Sequence, residues 1–221
     1  MNSFQIKVLA VVSMIVDHVG FVFFPQVTIF RVFGRLAFPL FAFLAGVGFT
    51  KTSNKRNYFF RLASFAVISQ IPYIWMIRAG GGEGLQLNIF FTLSFGLLVL
   101  SLIERYKNKV SAVLIIILFF VLFDSIFRFE YGAYGLLLML SNYLFLNSKI
   151  KGIFSILSIS FLNILYRIVY LGTHLQIYAL SVIPIMYMYN GEKGNDKYKN
   201  WFYYIYPVHM LVIALLAYLI K

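Results

Sequence analysis

Residues 6–24 read IKVLAVVSMIVDHVGFVFF. At 1.5 Å per residue, a helical run of this length reaches about 28 Å, close to the thickness of a bilayer's hydrocarbon core. Two ionisable residues, Asp17 and His18, interrupt it past its middle. A cation ahead of an apolar run also fits a secretory leader. No small-residue cleavage site follows, however, and Asp17-His18 breaks the apolar stretch, so a retained first transmembrane helix is expected.

The rest of the chain repeats the pattern. Of 221 residues, 62% are hydrophobic and 12% charged, with a mean hydropathy of +0.86. A soluble domain carries about 25% charged residues, and this chain has too few polar side chains to coat a water-facing surface. Further apolar segments fall at 30–49, 58–77, 87–103, 110–127, 132–147, 152–170, 174–189 and 201–220. The expected fold is an all-α, polytopic membrane bundle of about nine transmembrane helices (eight to ten), forming one domain over residues 1–221. The segments at 132–147 and 174–189 are shorter than the usual minimum of about 17 residues. Gly80-Gly81-Gly82-Glu83-Gly84 is expected to be a turn between spans.

Charge supplies an orientation. With nine spans, thirteen of the nineteen lysines and arginines fall on one side: Lys7, Lys51, Lys55, Arg56, Arg61, Arg105, Lys107, Lys109, Lys149, Lys151, Lys193, Lys197 and Lys199. Arg31, Arg35, Arg78, Arg128, Arg167 and Lys221 fall on the other. The positive-inside rule makes the richer side, and the N-terminus with it, cytoplasmic. The net charge of +12 does not point to nucleic acid, because the cations sit between apolar runs and form no single solvated face. The absence of cysteine excludes disulfides and thiolate chemistry.

Ionisable groups within spans mark a function or a pair. Asp17, His18, Arg31, Arg35, Asp124 and His209 fall in the middle or outer half of their segments, and Arg128 and Glu130 follow the outer end of the fifth, which suggests a polar cavity open to the outside. Arg31 and Arg35, four residues apart, share a helix face. Asp17 points about 100° from His18 and is better placed to pair with either arginine than to orient the imidazole. Lys7 and His18 are eleven residues apart, about three turns, so they share a face some 16 Å apart along the axis. A phosphate-bearing cofactor held by Lys7 could thus reach His18, and neutral imidazole is a suitable general base. Ordinary readings stand beside these. Lys7 fits an interfacial anchor, Asn88 a helix N-cap, Asp124 and Glu130 end caps, and His209 a packing group beside the Pro207 kink. Three scattered histidines have no metal-ligand spacing, and the glycine run lacks the Lys-Ser/Thr of a phosphate loop.

Several blocks resemble the TraX family. They are Leu9 to Gly20 with its Asp17-His18, Arg31-Val32-Phe33-Gly34-Arg35-Leu36-Ala37-Phe38-Pro39-Leu40-Phe41-Ala42-Phe43, Ser69-Gln70-Ile71-Pro72, Leu87-Asn88-Ile89-Phe90-Phe91-Thr92-Leu93, Glu130-Tyr131-Gly132-Ala133-Tyr134-Gly135 and Tyr206-Pro207-Val208-His209. The resemblance implies a bacterial cytoplasmic-membrane acetyltransferase, TraX proteins being known for acetylating the N-terminal amine of conjugative pilin. It also implies distant similarity to acyltransferase-3 proteins, whose first helix carries a basic residue, ten intervening residues and a catalytic histidine. Lys7 and His18 match that spacing, with Lys in place of the more usual Arg. The implied donor is acetyl-CoA and the implied acceptor an amine or hydroxyl of a peptide, pilin or glycan. On this reading His18 is the base and Asp17, Arg31, Arg35, Asn88, Glu130 and His209 complete the site. Lys7, Lys55 and Arg56 would hold the CoA phosphates. The competing expectation is a small proton-coupled transporter with Asp17, His18 and Glu130 as its relay.

Overall fold

A computed structural model describes residues 1–82, 86–106, 110–171, 174–195, 197–198 and 200–220. Lys107, Lys109, Lys199, Lys221 and the Glu83-Gly84 end of the glycine turn lie outside the described residues. The described chain is all-helical. Its α-helices are α1 (Ser3–Phe23), α2 (Thr28–Gly34), α3 (Ala37–Lys51), α4 (Lys55–Ala79), α5 (Ile89–Arg105), α6 (Val110–Phe127), α7 (Gly132–Asn147), α8 (Lys149–Leu171), α9 (Val182–Tyr187) and α10 (Trp201–Ile220). A 3-10 helix, Leu175–Ser181, precedes α9. Five stretches are long and apolar enough to cross a membrane: α1, the α2–α3 pair, α4, most of α8, and α10.

Two expected segments are built differently from their sequence outline. The segment at 30–49 breaks at Arg35-Leu36 into α2 and α3. Pro39 explains the break: it has no N–H for the Arg35 carbonyl, and its ring would strike that carbonyl in a continuous helix. Pro39 instead sits in the first turn of α3, where a missing donor is harmless. The segment at 174–189 is the 3-10 helix plus the six residues of α9. At about 2.0 Å per 3-10 residue and 1.5 Å per α residue it reaches only ~23 Å, short of a straight bilayer crossing.

The sequence polarity is sorted radially and by end. Large apolar side chains such as Val67, Ile126 and Phe154 are exposed on α4, α6 and α8, as lipid-facing surfaces require. Inside, α3 is buried on almost every side through Phe38, Leu40, Ala42, Phe43 and Phe49. One end of the bundle carries the start of α1, closed by a reciprocal cap between Asn2 and Gln5. There the Met1 ammonium reaches the Met188 carbonyl at 2.5 Å, Ser3 N–H donates to Glu192 O at 2.9 Å, and Lys51 at the end of α3 donates to Gly191 O. At the opposite end, Leu87 and Phe129 form an isolated bridge, with Glu130 N–H donating to Leu87 O at 2.8 Å. The Asp124 carboxylate accepts from Phe129 and Ala133 N–H and so caps the α6–α7 connection, as expected for an end cap. These bonds fix Glu130 beside the first turn of α5.

Helices α7 and α8 form a hairpin whose closeness depends on Gly152, since a Cβ there would lie 2.1 Å from Phe145 Cα. Gly152→Leu is expected to wedge the pair apart and lower stability by about 1–3 kcal/mol. The midpoint of thermal unfolding in detergent measures it, and an unchanged midpoint would show that the two backbones do not touch.

Candidate functional site

Asp17 projects from α1 towards the break between α2 and α3. Its Oδ2 lies 2.7 Å from Arg31 Nη1 and its Oδ1 lies 3.2 Å from Arg35 Nη2. Arg35 Nε also donates to the Arg31 carbonyl, at 3.2 Å, which locks the two arginines together. Gly34 admits this arrangement, because a Cβ there would fall 2.0 Å from Asp17 Oδ1. All three charged side chains are at least two-thirds buried, and in a low-dielectric setting such charges persist only as a satisfied set.

His18, one residue on, turns the other way and meets α10. Its Nδ1 lies 2.7 Å from His209 Nε2, and the two rings are parallel within 6°. His209 Nδ1 lies 2.8 Å from the Ile205 carbonyl. A carbonyl only accepts, so His209 carries its proton on Nδ1 and, as a neutral ring, offers Nε2 as an acceptor. His18 Nδ1 must then be the donor. That leaves the lone pair of His18 on Nε2, the tautomer a general base needs. Both rings are buried.

Two cavities lie beside this part of the bundle, and the smaller is lined by His18. The larger, about 360 Å³, opens at the basic end; Lys7, Lys51, Arg61 and Lys193 line it together with an apolar interior. The smaller, about 20 Å³, has room for about one water and is lined by His18, Asp17, Gly34, Glu130 and Tyr131 among others. Met14, Phe41, Ile89 and Tyr206 line both, so the cavities adjoin at these four side chains, the neck between them. Stacking of Phe38 on Tyr131, centroids 3.9 Å apart, holds the α6–α7 connection over the smaller chamber. Glu130 forms no ion pair among the described residues, and its Oε2 is buried without a hydrogen-bond partner. Among the described residues no cluster of three metal-ligating side chains exists.

The family model described as TraX protein matches residues 3–217. The chain belongs to the TraX family. It is similar to the probable fimbrial assembly protein FimC, serogroup H1, of Dichelobacter nodosus, at 29% identity over 96% of this chain and 94% of that protein. An uncharacterized protein, RP591, of Rickettsia prowazekii (strain Madrid E) is 39% identical over 30% of this chain and 25% of its own length. No solved structure matches.

In this TraX-family chain the structure gathers Asp17, His18, Arg31, Arg35, Glu130 and His209 into one region, and places Lys7 on the cavity that leads to it. Three expectations are corrected. Asn88 has no free donor: its Nδ2 donates to Ala66 O and Gln70 Oε1 while its Oδ1 accepts from Phe90 N–H, so it is a buried N-cap and not an oxyanion donor. Lys55 and Arg56 do not line the cavity. Lys55 pairs with Glu104 and lies over Phe49, and Arg56 lies over Phe60. The mouth instead takes Lys51, Arg61 and Lys193. Finally, the roomier cavity opens at the basic end, while the smaller chamber lies on the Asp17 and Glu130 side.

Sequence reasoning also missed Tyr206. Its three-residue spacing from His209, one helical turn, was the available signal. Asp17→Asn should leave two buried guanidiniums short of a counter-charge and lower stability by about 3 kcal/mol. Chemical or thermal unfolding in detergent reads the loss, and a fully stable variant would show that water, not Asp17, satisfies the arginines.

Proposed function

We propose that this chain is a membrane-embedded acyltransferase that moves acetyl from cytoplasmic acetyl-CoA to an amine or hydroxyl of an extracytoplasmic peptide, pilin or glycan. The observation that carries the reading is a cation-lined cavity adjoining a small chamber lined by His18, whose free nitrogen is a base. On this reading the chain crosses the bacterial cytoplasmic membrane nine times, with the basic end and the N-terminus in the cytoplasm, in keeping with the distribution of its cations. Lys7, Lys51, Arg61 and Lys193 attract the CoA phosphates at the mouth, where charge-assisted contacts are strongest. The apolar interior takes the pantetheine arm and excludes water from the thioester. His18 Nε2 accepts the proton of the attacking amine or hydroxyl, and His209 steadies the imidazolium that results. Glu130, with an unpartnered oxygen in the smaller chamber, faces the acceptor. The fimbrial-assembly name of the Dichelobacter relative favours a pilin-like acceptor. The transporter alternative, with Asp17, His18 and Glu130 as relay, has less support, because Asp17 is held between two guanidiniums and would have to leave both to carry a proton.

Mass spectrometry of surface peptides and glycans tests the reading in cells that lack the protein and cells complemented with it. Wild type should restore an added acetyl group and His18→Ala should not. A folded His18→Ala protein that restores it fully would remove the mechanism. In proteoliposomes, Arg61→Gln should raise KM for acetyl-CoA about tenfold, roughly one charge-assisted hydrogen bond, with kcat nearly unchanged. An unaltered KM would place the phosphates elsewhere.

A further inference from the structure

The neck between the two cavities has four lining residues in common, and three of them, Met14, Phe41 and Ile89, have apolar side chains. The fourth is Tyr206, which is 4% exposed and whose hydroxyl is buried without a hydrogen-bond partner for its proton among the described residues. A buried phenol ordinarily finds an acceptor, and leaving one unpaired costs on the order of 1–3 kcal/mol. An undischarged donor at a constriction is a site waiting for an acceptor atom. It is one helical turn before His209, with ring centroids 5.8 Å apart, so α10 presents both to the same region. Pro207 lies between them within α10, and its missing N–H leaves the Tyr203 carbonyl without its helical donor.

Resting on the acyl-transfer reading, we infer that Tyr206 is a catalytic residue whose hydroxyl donates to the thioester carbonyl oxygen. A donor whose phosphates sit at the cationic mouth and whose acyl carbon must come within reach of an acceptor deprotonated by His18 has its carbonyl in the neck. There the acceptor's nitrogen or oxygen forms a bond to the acyl carbon while its proton passes to His18 Nε2. The carbonyl π pair moves onto oxygen, where the Tyr206 O–H meets the developing charge. On collapse the C–S bond breaks, and the CoA thiolate leaves and takes the proton back from His18. Asn88 has its donors engaged, and neither it nor Arg31 nor Arg35 lines either cavity.

The test is Tyr206→Phe in proteoliposomes, with protein-dependent release of CoA thiol from acetyl-CoA as the readout and trialanine as the acceptor probe. Removing one oxyanion donor should lower kcat about 100- to 1,000-fold with KM for acetyl-CoA within about twofold. The melting temperature should stay equal to wild type or rise, because the lost hydroxyl had no partner for its proton. That combination is the opposite of what a structural hydroxyl would give. Retention of kcat within a few-fold, or a loss that comes with a lower melting temperature and a raised KM, overturns the assignment of Tyr206 and leaves the acyl-transfer reading standing. Wild-type protein that releases no thiol and transfers no acetyl overturns both.

Discussion

The buried ion pair between Asp17 and the two arginines is the constraint from which the site's geometry follows. Burying a carboxylate and two guanidiniums is tolerable only if they face one another at hydrogen-bond distance. That requirement joins α1 to the short helix α2 and demands a glycine at position 34, since any Cβ there would collide with Asp17. Because adjacent residues on a helix diverge by about 100°, fixing Asp17 against α2 turns His18 towards α10. Glu130 lies in the same region but, among the described residues, makes no ion pair with either arginine.

The tautomer of His18 follows from a backbone carbonyl two side chains away. Ile205 O can only accept, so it sets His209, and His209 sets His18. The same chain gives the proposed reaction a resting place for positive charge. When His18 gains a proton at Nε2, its Nδ1–H already points at a neutral ring, so no group has to reorient. The helix geometry that turns Asp17 towards the arginines leaves His18 to be oriented by His209 alone.

Much of this was readable from the sequence, and the failures have physical causes. The Asp17-His18 interruption of an apolar run, and the four-residue spacing of Arg31 and Arg35, were enough to suggest an ion pair beside a separately directed imidazole. The His18–His209 contact was not legible, because 191 residues separate the partners and helix periodicity carries no information about which helices meet. The mouth cations were misjudged for a related reason. Lys55 and Arg56 looked suitable by charge density, but Lys55 is taken up by Glu104 from the end of α5, whereas Arg61 is one and a half turns further in and faces the cavity. Asn88 matched two roles from sequence. Only the positions of Ala66 O and Gln70 showed that its donors are used.

The division of space follows from the same packing. Near the basic end, lysines and arginines diverge around a wide opening. Towards the other end, Phe41 and Tyr206 stand between this opening and the small chamber beside His18. A through-channel of uniform width would leak water and ions across a membrane and expose a thioester to hydrolysis. A wide chamber joined to a narrow one by an apolar neck avoids both, because water gains little by entering a constriction lined with methionine, phenylalanine and isoleucine. In such a neck a lone polar group has no solvent to compete with it. The single phenol there would act on a developing oxyanion far more strongly than it could in water, for the same reason that leaving it unpaired is unfavourable when the neck is empty.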